Sequence, residues 1–250
     1  MQAKTIDEVI DYLTLIIEEN KEQQNTLGYF AALYLKVTKK VKEGIKNHFF
    51  ENGPRMEKLD VIFANRYLKA YTEYKEQQKP SLCWQKAFEV HDKYWLIVLQ
   101  HLLLGMNAHI NLDLGIAAAT VSEGEPIEKL KTDFDRINEI LSELVGEVEA
   151  ELSQIWPTLK TILKYTKKLD TFLINFSMEI ARDGAWNFAV KLSDTNREEW
   201  SSEIDQRDVK VAKLANTISS PGFIVGLIFK IIRLGERGTV RKKIEILEED

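Results

Sequence analysis

Cysteine is almost missing from this chain: Cys83 is the only one in 250 residues. A disulfide framework and any cluster of thiolates around a metal are therefore excluded. A lone cysteine fits a reducing compartment. Histidine is also scarce, with four, which argues against a centre of several zinc ions. Five prolines and twelve glycines are too few for a loop-rich or low-complexity protein. HExxH, GxSxG, the Walker A loop, GxGxxG and Glu-x-x-His are all lacking, and the last of these argues against a ferritin-like di-iron bundle. The net charge of −5 supplies no basic field, so nucleic acid is not an expected partner. Met1 to Glu8 carry no apolar signal-peptide core. The expectation is a cytoplasmic protein.

What the chain has is helical periodicity, with no convincing alternation of the strand type. Thr5 and Glu8 form a capping-box pattern ahead of Val9, Ile10, Leu13, Ile16 and Ile17. The polar run Glu18 to Asn25 reads as a turn. A second helix starts near Leu27-Gly28 and stops at Asn52-Gly53-Pro54. A third runs from about Met56 to Gln78. Ser81, as N-cap, opens a fourth that is predicted to continue without a break through Trp84, His91, Trp95 and Leu102 past Leu114. Glu123 to Pro126 is a loop. Helical spacing resumes from Ile127, breaks at Trp156-Pro157, and restarts over Leu159 to Ile180. A second capping box, Thr195 and Glu198, precedes Trp200. The turn Ser219 to Gly222 leads to a last helical region ending at Leu247. The fold expected is all-α: a single-domain multi-helix bundle over 1–250, packed around a central buried helix at about 84–119. An N-terminal helix (1–26) and a C-terminal helical region (219–250) flank the core bundle (27–218).

The centre of that bundle is unusual. Between Lys93 and Glu123 the only formal charge is Asp113. The stretch is long enough to span a bilayer, yet His101, Asn107, His109, Asn111 and Asp113 would make stable insertion costly. At about 100° per residue, His109 and Asp113 fall on one face and Asn107 and Asn111 on the opposite one, with His101 between them. Arg66, seven residues after Leu59 on the apolar face of the third helix, is the natural counter-ion for Asp113. A His/Asp pair four residues apart can hold a metal, act as an oriented acid/base, or be a structural hydrogen-bonded pair. Further ligands could come from His91, Asp60, Glu179 or Asp183. His91-Asp92, with His48 and Asp133, is a weak match to helical HD-type phosphohydrolases. The two asparagines suit hydrogen bonding to neighbouring backbones. Tyr29, Tyr34, Tyr67, Tyr71 and Tyr74 are core residues or pocket walls. Lys230, Arg233, Arg237, Arg241, Lys242 and Lys243 make the C-terminal region locally basic, as a solvated face or a surface-binding helix.

Two stretches resemble an uncharacterised bacterial family, one of the domains of unknown function. They are Leu59-Asp60-Val61-Ile62-Phe63-Ala64-Asn65-Arg66-Tyr67 and His101-Leu102-Leu103-Leu104-Gly105-Met106-Asn107-Ala108-His109-Ile110-Asn111-Leu112-Asp113-Leu114. Trp84, Asp133 to Asn138 and Ala185-Trp186 add to the likeness. The resemblance implies a helical fold and a set of positions, Asp60, Asn65, Arg66, Asn107, His109, Asn111 and Asp113, without a reaction. A looser likeness to helical zinc phosphodiesterases lacks their histidines.

Two readings follow. In the first, His109, Asp113 and Arg66 are the reactive centre of a site for a small molecule or one divalent metal, with hydrolysis as one activity. His109 and Asp113 would be the metal ligands, and Asp60, Asn65, Asn107, Asn111 and His101 would contribute to binding. In the second, the protein is non-catalytic and the polar cluster only fixes helix packing.

Overall fold

The computed structural model describes residues 1–157 and 178–249, and every regular element among them is helical. Three helices open the chain: α1 (Ile6–Gln23), α2 (Gly28–Lys46) and α3 (Gly53–Lys75). A short α4 (Leu82–Phe88) follows, then α5 (Val98–Ala108), a π-helical segment (His109–Leu114) and α6 (Gly115–Val121). After a 3-10 turn at Ile127–Leu130 come α7 (Lys131–Ile155), α8 (Met178–Ser193), α9 (Trp200–Ser219), α10 (Phe223–Gly235) and α11 (Val240–Glu248). The run Val98–Val121 forms the axis of the fold. It packs against α2, α3, α4, α8 and α9, and one contiguous apolar core joins residues from α1 to α11.

The expected start of the central helix is corrected. It begins at Val98, not near residue 84, because turns at 89–97 separate it from α4. Trp95, expected on the buried stripe, is exposed, as is its neighbour Tyr94. Acidic residues far along the chain cap both new helix starts. Asp208 on α9 accepts from the N–H groups of Leu82 (2.6 Å) and Cys83 (2.8 Å), replacing the expected Ser81 cap. Glu236 accepts from the Val98 N–H at 2.8 Å. Asp133 does the same ahead of α3, accepting from Glu51 and Asn52 at 2.7 and 3.0 Å. A carboxylate at a helix N-terminus satisfies donors that the helix itself cannot pair and meets the positive end of its dipole.

Other boundaries also shift. Helix α1 continues through the polar run to Gln23, because buried Asn20 bonds to the Tyr71 hydroxyl (2.8 Å) and Lys21 pairs with Glu18 and Glu248. Thr5 caps α1 as expected, accepting from the Glu8 N–H at 3.2 Å. Thr195 does not cap α9: its hydroxyl turns back to the Lys191 carbonyl. The segment expected over Leu159 to Ile180 lies outside the described residues as far as 177. At the C-terminus the basic residues are largely matched by acids, with Lys243 and Arg233 both on Glu236 and Arg241 on Glu245. Helix α10 exposes Phe223, Ile224, Leu227, Ile231 and Leu234. Val98–Val121 is long and apolar enough to cross a membrane, but 83% of its most apolar window is buried in the fold.

Close approach is bought with glycine at both ends of the π segment. A Cβ on Gly105 would lie 2.3 Å from the ring of Phe30, and one on Gly115 would lie 2.8 Å from the Ala185 carbonyl. Replacing a helical glycine with alanine ordinarily stabilises by about 1 kcal/mol. Here the sign should reverse: Gly105→Ala is expected to lower stability by about 1–3 kcal/mol through overpacking, read as an earlier midpoint in urea denaturation.

Candidate functional site

The π segment is where the polar residues concentrate. A π-helix inserts an extra residue per bond ring, is rare, and often marks a functional site. Here it carries His109, Asn111 and Asp113. The two ladders separate as the sequence implies, and their surroundings differ.

The asparagine ladder is closed. Asn107 donates to the Val211 carbonyl on α9 (3.0 Å), and Asn111 donates to the Asn107 side chain (3.1 Å). Arg207 on α9 donates to the Asn111 carbonyl at 2.8 Å. Asn65 is also structural: it exchanges two hydrogen bonds with the Ala3 backbone, at 2.7 and 2.8 Å, and pins the N-terminal segment to α3. His101 lies elsewhere, edge-on to Tyr29 in a cleft that also includes Arg233 and Glu236. Burial, reinforced by nearby cations, pushes its pKa down to about 3.

On the opposite face, Asp113 is fully buried and fully engaged. One carboxylate oxygen accepts from Arg66 Nε at 2.6 Å. The other accepts from Trp84 Nε1 at 2.7 Å and faces His109 Nδ1 at 3.4 Å. Burial works against the charge of Asp113, but Arg66 and the hydrogen bonds from His109 and Trp84 outweigh it and hold its pKa below the usual carboxylate value. Burial dominates at His109 and lowers its pKa, so the imidazole is neutral near pH 7. With Asp113 as acceptor, the proton sits on Nδ1. Nε2 is then a lone-pair acceptor, and it is buried without a hydrogen-bond partner among the described residues.

Aromatic rings fix the imidazole. Phe63 stacks on it at 3.5 Å between centroids, Tyr34 meets its edge at 4.4 Å, and Phe30, Trp84 and Tyr67 complete the surround. The Tyr34 and Tyr67 hydroxyls are likewise buried without partners among the described residues. Each such group costs about 1–3 kcal/mol unless something satisfies it.

His109 and Tyr34 form part of the wall of a cavity of about 300 Å³. The rest of the wall is apolar apart from the exposed Glu149: Leu33, Val37 and Phe63 from α2 and α3, Leu99, Leu102, Leu103, Met106 and Ile110 from the central helix, and Ile137, Leu141, Leu144 and Val148 from α7. Arg182 on α8 closes another part of it. Arg182 is not among the residues picked from the sequence, and Ile137, Leu141, Leu144 and Val148 are read from it only as the apolar stripe of their helix. A signal for Arg182 existed: it opens the 3-4-3 spacing Arg182, Ala185, Ala189, Leu192 that defines the buried face of α8. The face expected from the sequence, Ile180 with Asp183 and Asn187, is the exposed one.

Asp60 is buried, and one of its carboxylate oxygens has no partner among the described residues. Desolvation, with a smaller contribution from Glu57, raises its pKa to about 7. The metal expectation gains no ligand set. Asp113 already serves three donors, and among the described residues no group of three or more His, Cys, Asp or Glu could hold an ion. The HD-type assignment also dissolves, since Asp133 is occupied by backbone N–H groups, Arg55 and Arg136.

The fold and this site define an all-α bundle with a His–Asp pair at the wall of an apolar cavity. The chain belongs to a family of unknown function (DUF5995), whose model matches residues 6–221. No curated protein and no solved structure matches it.

Two consequences can be measured. Asp113→Ala strands the Trp84 and His109 donors, while Arg66, 30% exposed, can turn to water. A loss on the order of 3 kcal/mol is expected, present above pH 4 and shrinking as acid protonates the native carboxylate, whose folded pKa is depressed. Asp60 has the opposite sign. Its folded pKa is raised, so the native state holds a proton that the unfolded chain has lost, and stability falls as pH rises from about 4 to about 7. Asp60→Asn should flatten that slope and raise the melting temperature above pH 7.

Proposed function

We propose that this protein binds a small molecule with a large apolar body, seated in the cavity between the central helix, α2 and α7. A hydrogen-bond donor on the ligand would meet His109. The observation that carries this reading is His109 Nε2: a lone pair held in one tautomer by Asp113, clamped by five rings, and left unpaired on a ring that lines the cavity. Pockets for small molecules commonly combine an apolar wall with a few fixed polar groups. Chemically, a neutral imidazole oriented by a carboxylate can also take a proton from a bound hydroxyl. Arg66 would then be a positioning residue that acts through Asp113. The described residues gather no nucleophile beside His109, so binding is the primary assignment and proton abstraction a secondary one.

The alternative of a purely structural cluster accounts for Asn65, Asn107 and Asn111, whose polar side chains are spent on the protein. It leaves His109 Nε2 and the Tyr34 hydroxyl unexplained.

The neutral fluorophore N-phenyl-1-naphthylamine, apolar and with one N–H donor, is a direct probe. Saturable fluorescence enhancement is expected with the native protein. It should vanish in Leu141→Trp, which fills the cavity, and weaken about tenfold in His109→Phe, the equivalent of one hydrogen bond. No saturable binding by the native protein would leave the structural reading in possession.

A further inference from the structure

Arg182 is a buried cation, 4% exposed. Its Nη2 donates to the Phe134 carbonyl, and its guanidinium lies 4.5 Å from the centre of the Phe134 ring. Its Nε is buried with no hydrogen-bond partner among the described residues. Among the described residues no carboxylate lies within ion-pair distance of it. Asp135 and Asp183 act on it only through space, and burial drives its pKa down to about 10. The buried cations Lys36 and Lys243 have each been given a glutamate, Glu151 and Glu236 respectively. Arg182 has none among the described residues, and it lies in the wall of the apolar cavity. A buried charge needs a partner of opposite sign and hydrogen bonds for its remaining protons, and a guanidinium suits a planar oxyanion that takes two N–H bonds.

We infer that the cavity ligand is an anionic amphiphile of the long-chain monocarboxylate class, its carboxylate on Arg182 and its chain along the leucine and isoleucine wall of α5 and α7. This rests on the cavity reading above and adds the charge of the ligand to it. The geometry favours a carboxylate over a bulkier, more highly charged head. Arg182 is the one cation among the lining residues, the other charged one is the exposed Glu149, and the remaining wall, Leu102, Leu103, Met106, Ile110, Leu141 and Leu144, is apolar.

The test is displacement of N-phenyl-1-naphthylamine from the native protein by dodecanoate and by methyl dodecanoate, equal in chain and different in charge. Dodecanoate is expected to displace the probe at concentrations at least tenfold lower than the ester. In Arg182→Met the two should become equivalent, through a loss on the dodecanoate side alone, and Arg182→Lys should recover part of the difference. The probe reports an intact cavity in each variant, and the native comparison stands even where a variant does not fold. If the probe binds and acid and ester displace it equally from the native protein, the anionic assignment is wrong and the cavity reading survives. If the probe does not bind at all, the cavity reading itself has failed.

Discussion

Asp113 is the point on which the centre of this molecule depends. A carboxylate with no exposure to solvent is tolerable only if its lone pairs are taken up. Three separate elements do this: Arg66 from α3, Trp84 from α4 and His109 from its own helix. The requirement works in both directions. Trp84 and Arg66 must arrive at one place, which locks α3 and α4 against the central helix. In return, His109 is left in one tautomer, its second nitrogen without a partner among the described residues. The interaction that holds the helices together therefore also fixes the tautomer of a histidine that lines the cavity.

The same logic recurs at the helix ends. Asp133, Asp208 and Glu236 lie at 80 to 140 residues' distance from the N-termini they cap. Each ties a late part of the chain to an early one through backbone donors that would otherwise be unpaired. These ties explain why α4 and the central helix are separate elements despite a continuous helical spacing between residues 84 and 114. They also orient the central helix without placing any charge on it other than Asp113.

Polar atoms inside the fold are not all spent in the same way, and some outside the cavity, such as Asp60 Oδ2 and Tyr67 Oη, also lack a partner among the described residues. Asn65, Asn107 and Asn111 are satisfied by the protein, and their chemistry ends there. His109 Nε2, Tyr34 Oη and Arg182 Nε are unsatisfied among the described residues, and all three residues line one apolar space. The proposed ligand site rests on this coincidence of unused polar atoms with a shared cavity.

The residues alone determined the all-α class, most helix boundaries, the opposed His109/Asp113 and Asn107/Asn111 ladders and the Arg66–Asp113 pair. Periodicity and the rarity of charge in an apolar run are local properties, and buried charges must find each other. Tertiary structure decided the rest. No local pattern announces that the axis starts at Val98, since the cause is Glu236 more than a hundred residues away. None distinguishes an asparagine spent on a backbone carbonyl from a histidine left with a free lone pair. The cavity is the space left between helices from distant parts of the chain, and only the packing of α8 carries Arg182 into that wall with no carboxylate at ion-pair distance among the described residues.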